Sequence, residues 1–201
     1  MDLKLRHAAP ADYRQTEWIT REAFWNQYAP GCVEHYLLHI MRGSPAFVHG
    51  LDLAAFLGEE LVGSVVFVRG TIQGDDGRDH PVLTLGPISV LPRHQGRGVG
   101  GALITHAKVL AREQGFGAIL LCGDPDYYSR HGFVPAESRW ASDRQMGCTP
   151  LRSRPVSCMT ARWPEPRAAI ARTASIRWTR ERQRPLTGPS LPRKRCPALR
   201  D

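Results

Sequence analysis

The sequence predicts an α/β fold around one sheet, flanked by helices and followed by a basic, proline- and arginine-rich tail. Three observations predict it. Strand-like and helix-like periods alternate through the first two-thirds of the 201 residues. One glycine-rich stretch, residues 93–101, joins an apolar β-branched run to a helical run. The charge also changes sign along the chain. Residues 1–138 carry 12 Lys+Arg against 15 Asp+Glu, a balance of −3, whereas residues 139–201 carry 15 against 4, or +11, with 8 of the 16 prolines.

The elements follow in order. Leu3–His7 alternates and reads as a strand. Pro10 marks a turn, and Asp12 is the expected N-cap of a helix over Tyr13–Phe24. Pro30-Gly31 breaks the chain before a second helix, Val33–Met41, with Tyr36, Leu37 and Ile40 on one face. Leu51–Leu57 and Leu61–Val68 read as strands joined by a turn at Gly58-Glu59-Glu60. A polar loop, Gly74–Asp79, leads to Val82–Val90, a buried strand. Leu103, Ile104, Ala107, Leu110 and Ala111 keep a helical period that Gly115 ends. Ala118–Cys122 is a second buried strand, with Cys122 read as a small core residue.

Composition excludes several classes. No run approaches ~20 apolar residues, the length of a membrane-crossing helix. The N-terminal charges have no apolar segment behind them, against a secretory signal. Five cysteines without a C-x-x-C pair argue against a disulfide framework and against structural zinc, so no metal and a cytoplasmic setting are expected.

The glycine stretch carries the chemistry. Ile88-Ser89-Val90-Leu91-Pro92 ends a strand; Arg93-His94-Gln95-Gly96-Arg97-Gly98-Val99-Gly100-Gly101 opens a helix. Glycines let backbone N–H groups approach a phosphate, and a helix start adds free donors and partial positive charge. Arg93 and Arg97 add cations. The inference is an anionic, diphosphate-bearing ligand. Gly96-x-Gly98-x-x-Gly101 also fits the nicotinamide-dinucleotide fingerprint, with Asp124 beyond the next strand, although Leu91–Gln95 intervene and the βαβ unit is single. A Walker loop is excluded, since Gly-Lys-Ser/Thr is absent.

Gln95-x-x-Gly98-x-Gly100 after a Val-x-Pro strand end resembles the acetyl-CoA pyrophosphate loop of the GNAT acyl-CoA N-acyltransferases. Leu5–Asp12 resembles that family's opening strand and turn, and Gly58–Val68 its hairpin. Gly123-Asp124-Pro125-Asp126-Tyr127-Tyr128-Ser129-Arg130-His131-Gly132-Phe133 resembles its late Tyr-Tyr-x-x-x-Gly-Phe segment, in the form of a bacterial subgroup with Gly-Asp-Pro before the tyrosines. The resemblance covers about residues 3–138. It implies a mostly antiparallel central sheet and an acetyl-CoA-dependent N-acetyltransferase domain over residues 1–143. Residues 144–201 form the basic tail, with remnants of the last strands. Phe133–Pro135, Ser157–Ala161 and Ser175–Trp178 are the candidates for those strands.

By the same resemblance, backbone amides of Gln95, Gly96, Arg97, Gly98, Val99 and Gly100 cradle the pyrophosphate. The edge at Ile88, Ser89 and Val90 pairs with the pantetheine arm. The two buried strands splay to admit the thioester, and Tyr128 protonates the departing thiolate while Tyr127 packs. The chemistry is consistent. A phenol near ~10 is protonated at neutral pH and can donate to a thiolate whose pKa is near ~8.5. The attacking amine needs a base, and candidates are Glu22, Glu34, His35 and Asp124, or a water relay. His94 and His106 are read as surface residues.

The acceptor implied is an amine-bearing small molecule or a peptide or protein, with a homodimer as the family's common assembly. Two other readings stand beside the enzyme. One is a CoA-binding pseudo-enzyme. The other is a nucleic-acid or acidic-partner binder working through the arginine-rich tail.

Overall fold

The computed structural model describes residues 2–73, 78–135 and 157–162. Its strands are β1 (Leu3–His7), β2 (Leu53–Leu57), β3 (Glu60–Gln73), β4 (Asp79–Val90), β5 (Ala118–Gly123), β6 (Val134–Pro135) and β7 (Ser157–Arg162). They form one sheet in the order β1-β2-β3-β4-β5-β7-β6. The pairing is antiparallel except between β4 and β5, so the fold is α/β with a mostly antiparallel sheet, as expected.

Helices α1 (Tyr13–Phe24), α2 (Glu34–Arg42), α3 (Val99–Glu113) and α4 (Pro125–Ser129) dress the sheet. Helix α3 buries Val99, Leu103, Ile104, Ala107 and Ala111, a stripe at helical spacing. These meet Val62, Val65, Phe67, Leu83, Ile119 and Leu121 in the main core. Gly115 (φ 80) ends α3 in a left-handed residue. Gly115 N–H donates to the Arg112 carbonyl and Phe116 N–H to the Ala111 carbonyl, and Phe116 packs on the core. On the other face, α1 buries Thr16, Ile19 and Thr20, and α2 buries Leu38 against Phe47 and Val66.

Several expectations shift. Residues 49–51 make a 3-10 turn, so β2 starts at Leu53 rather than Leu51. Strand β3 runs on to Gln73, and Asp79 already belongs to β4. Asp12 precedes α1 without capping it. Its carboxylate takes the Ala9 N–H at 2.7 Å and two bonds from Arg6, which hold it below the usual carboxylate range. The expected α2 face of Tyr36, Leu37 and Ile40 is exposed, because Leu38 and Met41 are the residues turned to the sheet. Cys122 is exposed and disulfide-bonded rather than a core residue; Cys158 is its register partner on β7.

The strand expected at Ser157–Ala161 is β7, and it fills the sheet beside β5, with Met159 and Ala161 in the core. Val134-Pro135 pairs beyond it as β6. The candidate at Ser175–Trp178 lies outside the described residues.

A buried ion pair ties α2 to the sheet. Arg42 donates from Nε and Nη2 to Asp52 at 3.1 and 3.2 Å, and its guanidinium lies 3.9 Å from the Tyr13 ring centre. The Asp52 carboxyl is pushed up by burial, against the pull of Arg42. Removing one partner leaves a buried charge uncompensated. Arg42→Ala is therefore expected to cost about 3–5 kcal/mol, read as a lowered denaturation midpoint at neutral pH. An unchanged midpoint would show that the pair carries no stability.

Candidate functional site

Among the described residues, strands β4 and β5 touch along two rungs, Leu83 with Ile119 and Thr84 with Leu120. Beyond them, among the described residues, β4 continues to Val90 paired on its β3 side, and β5 continues to Gly123 paired on its β7 side. The sheet opens there as a wedge. A register shift between Val65 and Phe67 places the extra residue of β4 at Gly86-Pro87, where the strands part. A side chain at Gly86 has no room: a Cβ would lie 2.5 Å from Met41 Cε and 2.9 Å from Val66 Cγ2.

The glycine loop closes one end of this wedge. A 3-10 turn, Pro92–His94, leaves β4, and α3 begins after Gly98. The first intrahelical bond is Ala102 N–H to the Gly98 carbonyl, so the amides of Val99, Gly100 and Gly101 precede the helical ladder. The loop is pinned at three points. Gln95 Nε2 donates to the Val90 carbonyl at 3.0 Å. Arg93 donates to Glu60, and His94 Nε2 stands 3.2 Å from the same carboxylate. Arg93 holds the Glu60 carboxyl below its ordinary value.

These contacts revise the expected roles. Arg93 is committed to Glu60, and the His94 side chain is 12% exposed, so neither is a free surface group. Arg97 is exposed and makes no ion pair among the described residues. The four glycines divide by cause. Gly96 (φ 70) and Gly98 (φ 83) are left-handed with open space around them. Gly100 and Gly101 instead make room for α4: a Cβ at Gly100 would lie 2.6 Å from the Tyr127 hydroxyl, and one at Gly101 would lie 2.8 Å from His131 Cε1.

Helix α4 is held by Asp124. Its Oδ1 accepts from Asp126 N–H at 2.9 Å, and its carbonyl from Tyr127 and Tyr128 N–H. The Tyr128 ring lies against Gly123, where a Cβ would be 2.3 Å from Cε2, and edge-on to Tyr127 and Phe133. Tyr128 is 8% exposed. Burial raises its phenol well above the ordinary value, helped by Tyr127, Tyr28 and Asp124. Tyr127 is raised by burial and lowered by Arg130. Around them, Lys108 Nζ donates to the His131 carbonyl at 2.8 Å. Burial lowers both Lys108 and His131, with Arg130 and Lys108 lowering His131 further.

The structure scatters the candidate bases. Glu34 accepts from Val33 N–H at the start of α2. His35 Nδ1 is 3.2 Å from Cys32 Sγ. Glu22 lies half-buried on α1; His106, expected at the surface, is half-buried on α3. Asp124 is the candidate whose charge acts on the Tyr128 phenol.

Two features escaped the sequence reading. Tyr28 sits in a loop clasped by Asn26 and Gly31, which exchange bonds at 2.8 and 2.9 Å while Asn26 takes φ 56. Its spacing to the late tyrosines in sequence offers no signal. The Ser89 side chain is engaged on the α1 side of the sheet. It lies 2.9 Å from Thr20 Oγ1 and 3.2 Å from Ser64 Oγ. Ser64 and Ser89 as lone polar residues in apolar runs were the available hint.

Gly98→Ala, with φ 83 and open space, should cost about 1–2 kcal/mol of backbone strain. Gly100→Ala should also destabilise, by collision with the Tyr127 hydroxyl. Tyr127→Phe in the same chain should recover much of that loss in a thermal melt, and should recover none of the Gly98→Ala loss. Equal recovery at both positions would refute the division.

The chain has known relatives. The family model for the acetyltransferase (GNAT) family matches residues 11–133. Over 86 residues the chain is 38% identical to YjhQ of Escherichia coli strain K12, described as an uncharacterised N-acetyltransferase. That match covers 42% of this chain and 46% of the relative, so the chain matches about half the length of that relative. Among solved structures, a GNAT family acetyltransferase from Brucella melitensis in complex with acetyl-CoA aligns with TM-score 0.63 at 22% identity, over 87% of this chain and 96% of that one. The acetyltransferase YhbS of Escherichia coli in complex with CoA aligns with TM-score 0.62 at 22% identity, over 80% and 81%. Those two likenesses establish the fold, and the family match over more than half of the chain establishes the kinship: this chain belongs to the GNAT acetyltransferase family.

Proposed function

We propose that the chain is an acetyl-CoA-dependent N-acetyltransferase that passes an acetyl group to a primary amine by direct attack on the thioester. The wedge between β4 and β5, closed at one end by the start of α3, is the observation that carries this reading. It offers an unpaired strand edge and a cluster of amide donors in one place. Those features suit a long, neutral pantetheine arm ending in a diphosphate. The solved relatives named above hold CoA or acetyl-CoA, which supports the same ligand.

In this reading, the amides of Gln95, Gly96, Arg97, Gly98, Val99 and Gly100 receive the diphosphate, and exposed Arg97 supplies a cation. The backbone edge at Ile88, Ser89 and Val90 aligns the arm. Holding both reactants together removes much of the entropic barrier. The neutral amine nitrogen attacks the thioester carbon; the C–N bond forms, the C–S bond breaks, and its electron pair leaves on sulfur. Tyr128 gives that sulfur its phenolic proton. The proton lost by the amine passes to water, which returns the phenol to its protonated state through solvent. The domain proposed to do this is residues 1–143, with β7 supplied from residues 144–201. The acceptor class is a primary amine on a small molecule or on a peptide or protein.

Tyr128→Phe keeps the ring that packs on Gly123 and removes the proton. Its kcat for acetyl transfer should fall about 100-fold, while the acetyl-CoA dissociation constant by calorimetry stays put. Wild-type turnover in this variant would overturn the acid assignment. Because burial raises the phenol, the acid stays loaded well into alkaline solution. The wild-type kcat should therefore show no descending limb below about pH 10, the ordinary phenol value. A limb near pH 8 would assign the proton to another group.

A further inference from the structure

Three buried hydroxyls and a peptide carbonyl form a hydrogen-bonded chain on the α1 side of the sheet. Thr20 Oγ1 is 2.8 Å from the Thr16 carbonyl, Ser89 Oγ is 2.9 Å from Thr20 Oγ1, and Ser64 Oγ is 3.2 Å from Ser89 Oγ. Thr20, Ser64 and Ser89 are at most 2% exposed. Their direction follows from counting protons. A carbonyl only accepts, so Thr20 spends its one hydroxyl proton on Thr16. Ser89 must then donate to Thr20, and Ser64 must donate to Ser89. The order runs one way, from β3 through β4 to α1.

The end point excludes a relay. The chain stops on a peptide carbonyl, which takes up no proton at neutral pH, so these hydroxyls do not carry away the amine's proton. Their position suggests another task. Ser64 and Ser89 are direct register partners, one step beyond the bulge at Gly86-Pro87. A bulge disrupts the ladder locally and bends the strand that carries it, and a one-residue slip exchanges the two faces. Past that bulge β4 has no neighbour on its β5 side among the described residues. Ile88 and Val90, on either side of Ser89, pack toward α3.

We infer that Ser89 is a positioning residue: its hydroxyl, locked between Ser64 and Thr20, holds the Ile88–Val90 edge of β4 at the height where the thioester is aligned. The inference rests on the proposed acetyl transfer for its catalytic consequence, but not for its structural part. The polarity of the chain ranks the deletions. Ser89→Ala leaves the Ser64 proton without an acceptor and Thr20 without its donor. Ser64→Ala removes only the first donor and leaves the bonds to Thr20 and Thr16 in place.

The test uses the full chain. In Ser89→Ala, kcat should fall about tenfold or more, since small misplacements of reacting groups are costly. The acetyl-CoA dissociation constant should change less than about twofold, as the diphosphate loop is untouched. Amides of residues 85–91 should exchange with deuterium faster than in the wild type. Ser64→Ala should show a smaller loss of kcat. Ser64→Ala combined with Ser89→Ala removes the stranded Ser64 hydroxyl as well, and should regain melting temperature without regaining kcat.

Loss of melting temperature with kcat and exchange intact would make Ser89 merely structural and overturn the inference. So would a larger loss in Ser64→Ala than in Ser89→Ala. If the wild type neither binds nor turns over acetyl-CoA, the proposed function fails instead. The exchange of residues 85–91 in Ser89→Ala then still decides the positioning role: faster exchange sustains it and unchanged exchange overturns it.

Discussion

The contact between β4 and β5 is parallel and two rungs long. Parallel neighbours need a crossover, and here α3 supplies it, packed on the sheet through Val99, Leu103, Ile104 and Ala107. The helix must start where β4 ends, so its unpaired amides open beside the strand edge. The edge is unpaired for the same reason: β4 carries a bulge at Gly86-Pro87, and the two strands separate past Thr84 and Leu120. Strand edge, helix start and wedge are therefore consequences of one short pairing. On the far side β5 is satisfied by β7, whose Met159 and Ala161 enter the same core. Without β7 the wedge would have only one firm wall.

The loop shows how one residue type meets two demands. Gly96 and Gly98 turn the chain through left-handed conformations that other residues adopt at a cost. Gly100 and Gly101 are ordinary helical residues whose missing side chains let Tyr127 and His131 of the α4 segment approach. The second pair couples the diphosphate-facing turn to the tyrosines. Asp124 caps α4 and also raises the Tyr128 phenol, so the residue that orders the segment also helps keep the phenol protonated.

Much of this was legible in the chain itself. Helices α1 and α3 and strands β1 and β5 follow from apolar spacing, and the glycine run announces the α3 start. The late Gly-Asp-Pro-x-Tyr-Tyr segment was legible by resemblance alone, and the fold shows it as the short helix α4 capped by Asp124. Long-range facts were not legible. Arg93 reads as a free cation until Glu60 is folded beside it, 33 residues away in sequence. Tyr36, Leu37 and Ile40 make a convincing apolar face by spacing, yet Leu38 and Met41 face the sheet because Gly86 leaves a hollow for the Met41 methyl. The partners of the Ser89 side chain were not legible either, since its hydroxyl chain is completed by residues 25 and 69 positions away.

The face carrying Ser89 and the face carrying Ile88 and Val90 divide the labour of β4. Apolar side chains toward α3 supply adhesion, which is strong but tolerant of sliding. Hydroxyls toward α1 supply direction, because each bond names one partner at one distance. A strand paired on both sides gets its register from the ladder. The end of β4 is paired with β3 and follows a bulge, and the hydroxyl chain reinforces that ladder. An unsatisfied buried hydroxyl is costly, so the chain from Ser64 to Thr16 penalises every register except the one in which Ser64 stands opposite Ser89. The wedge can then stay open without the strand beside it becoming loose.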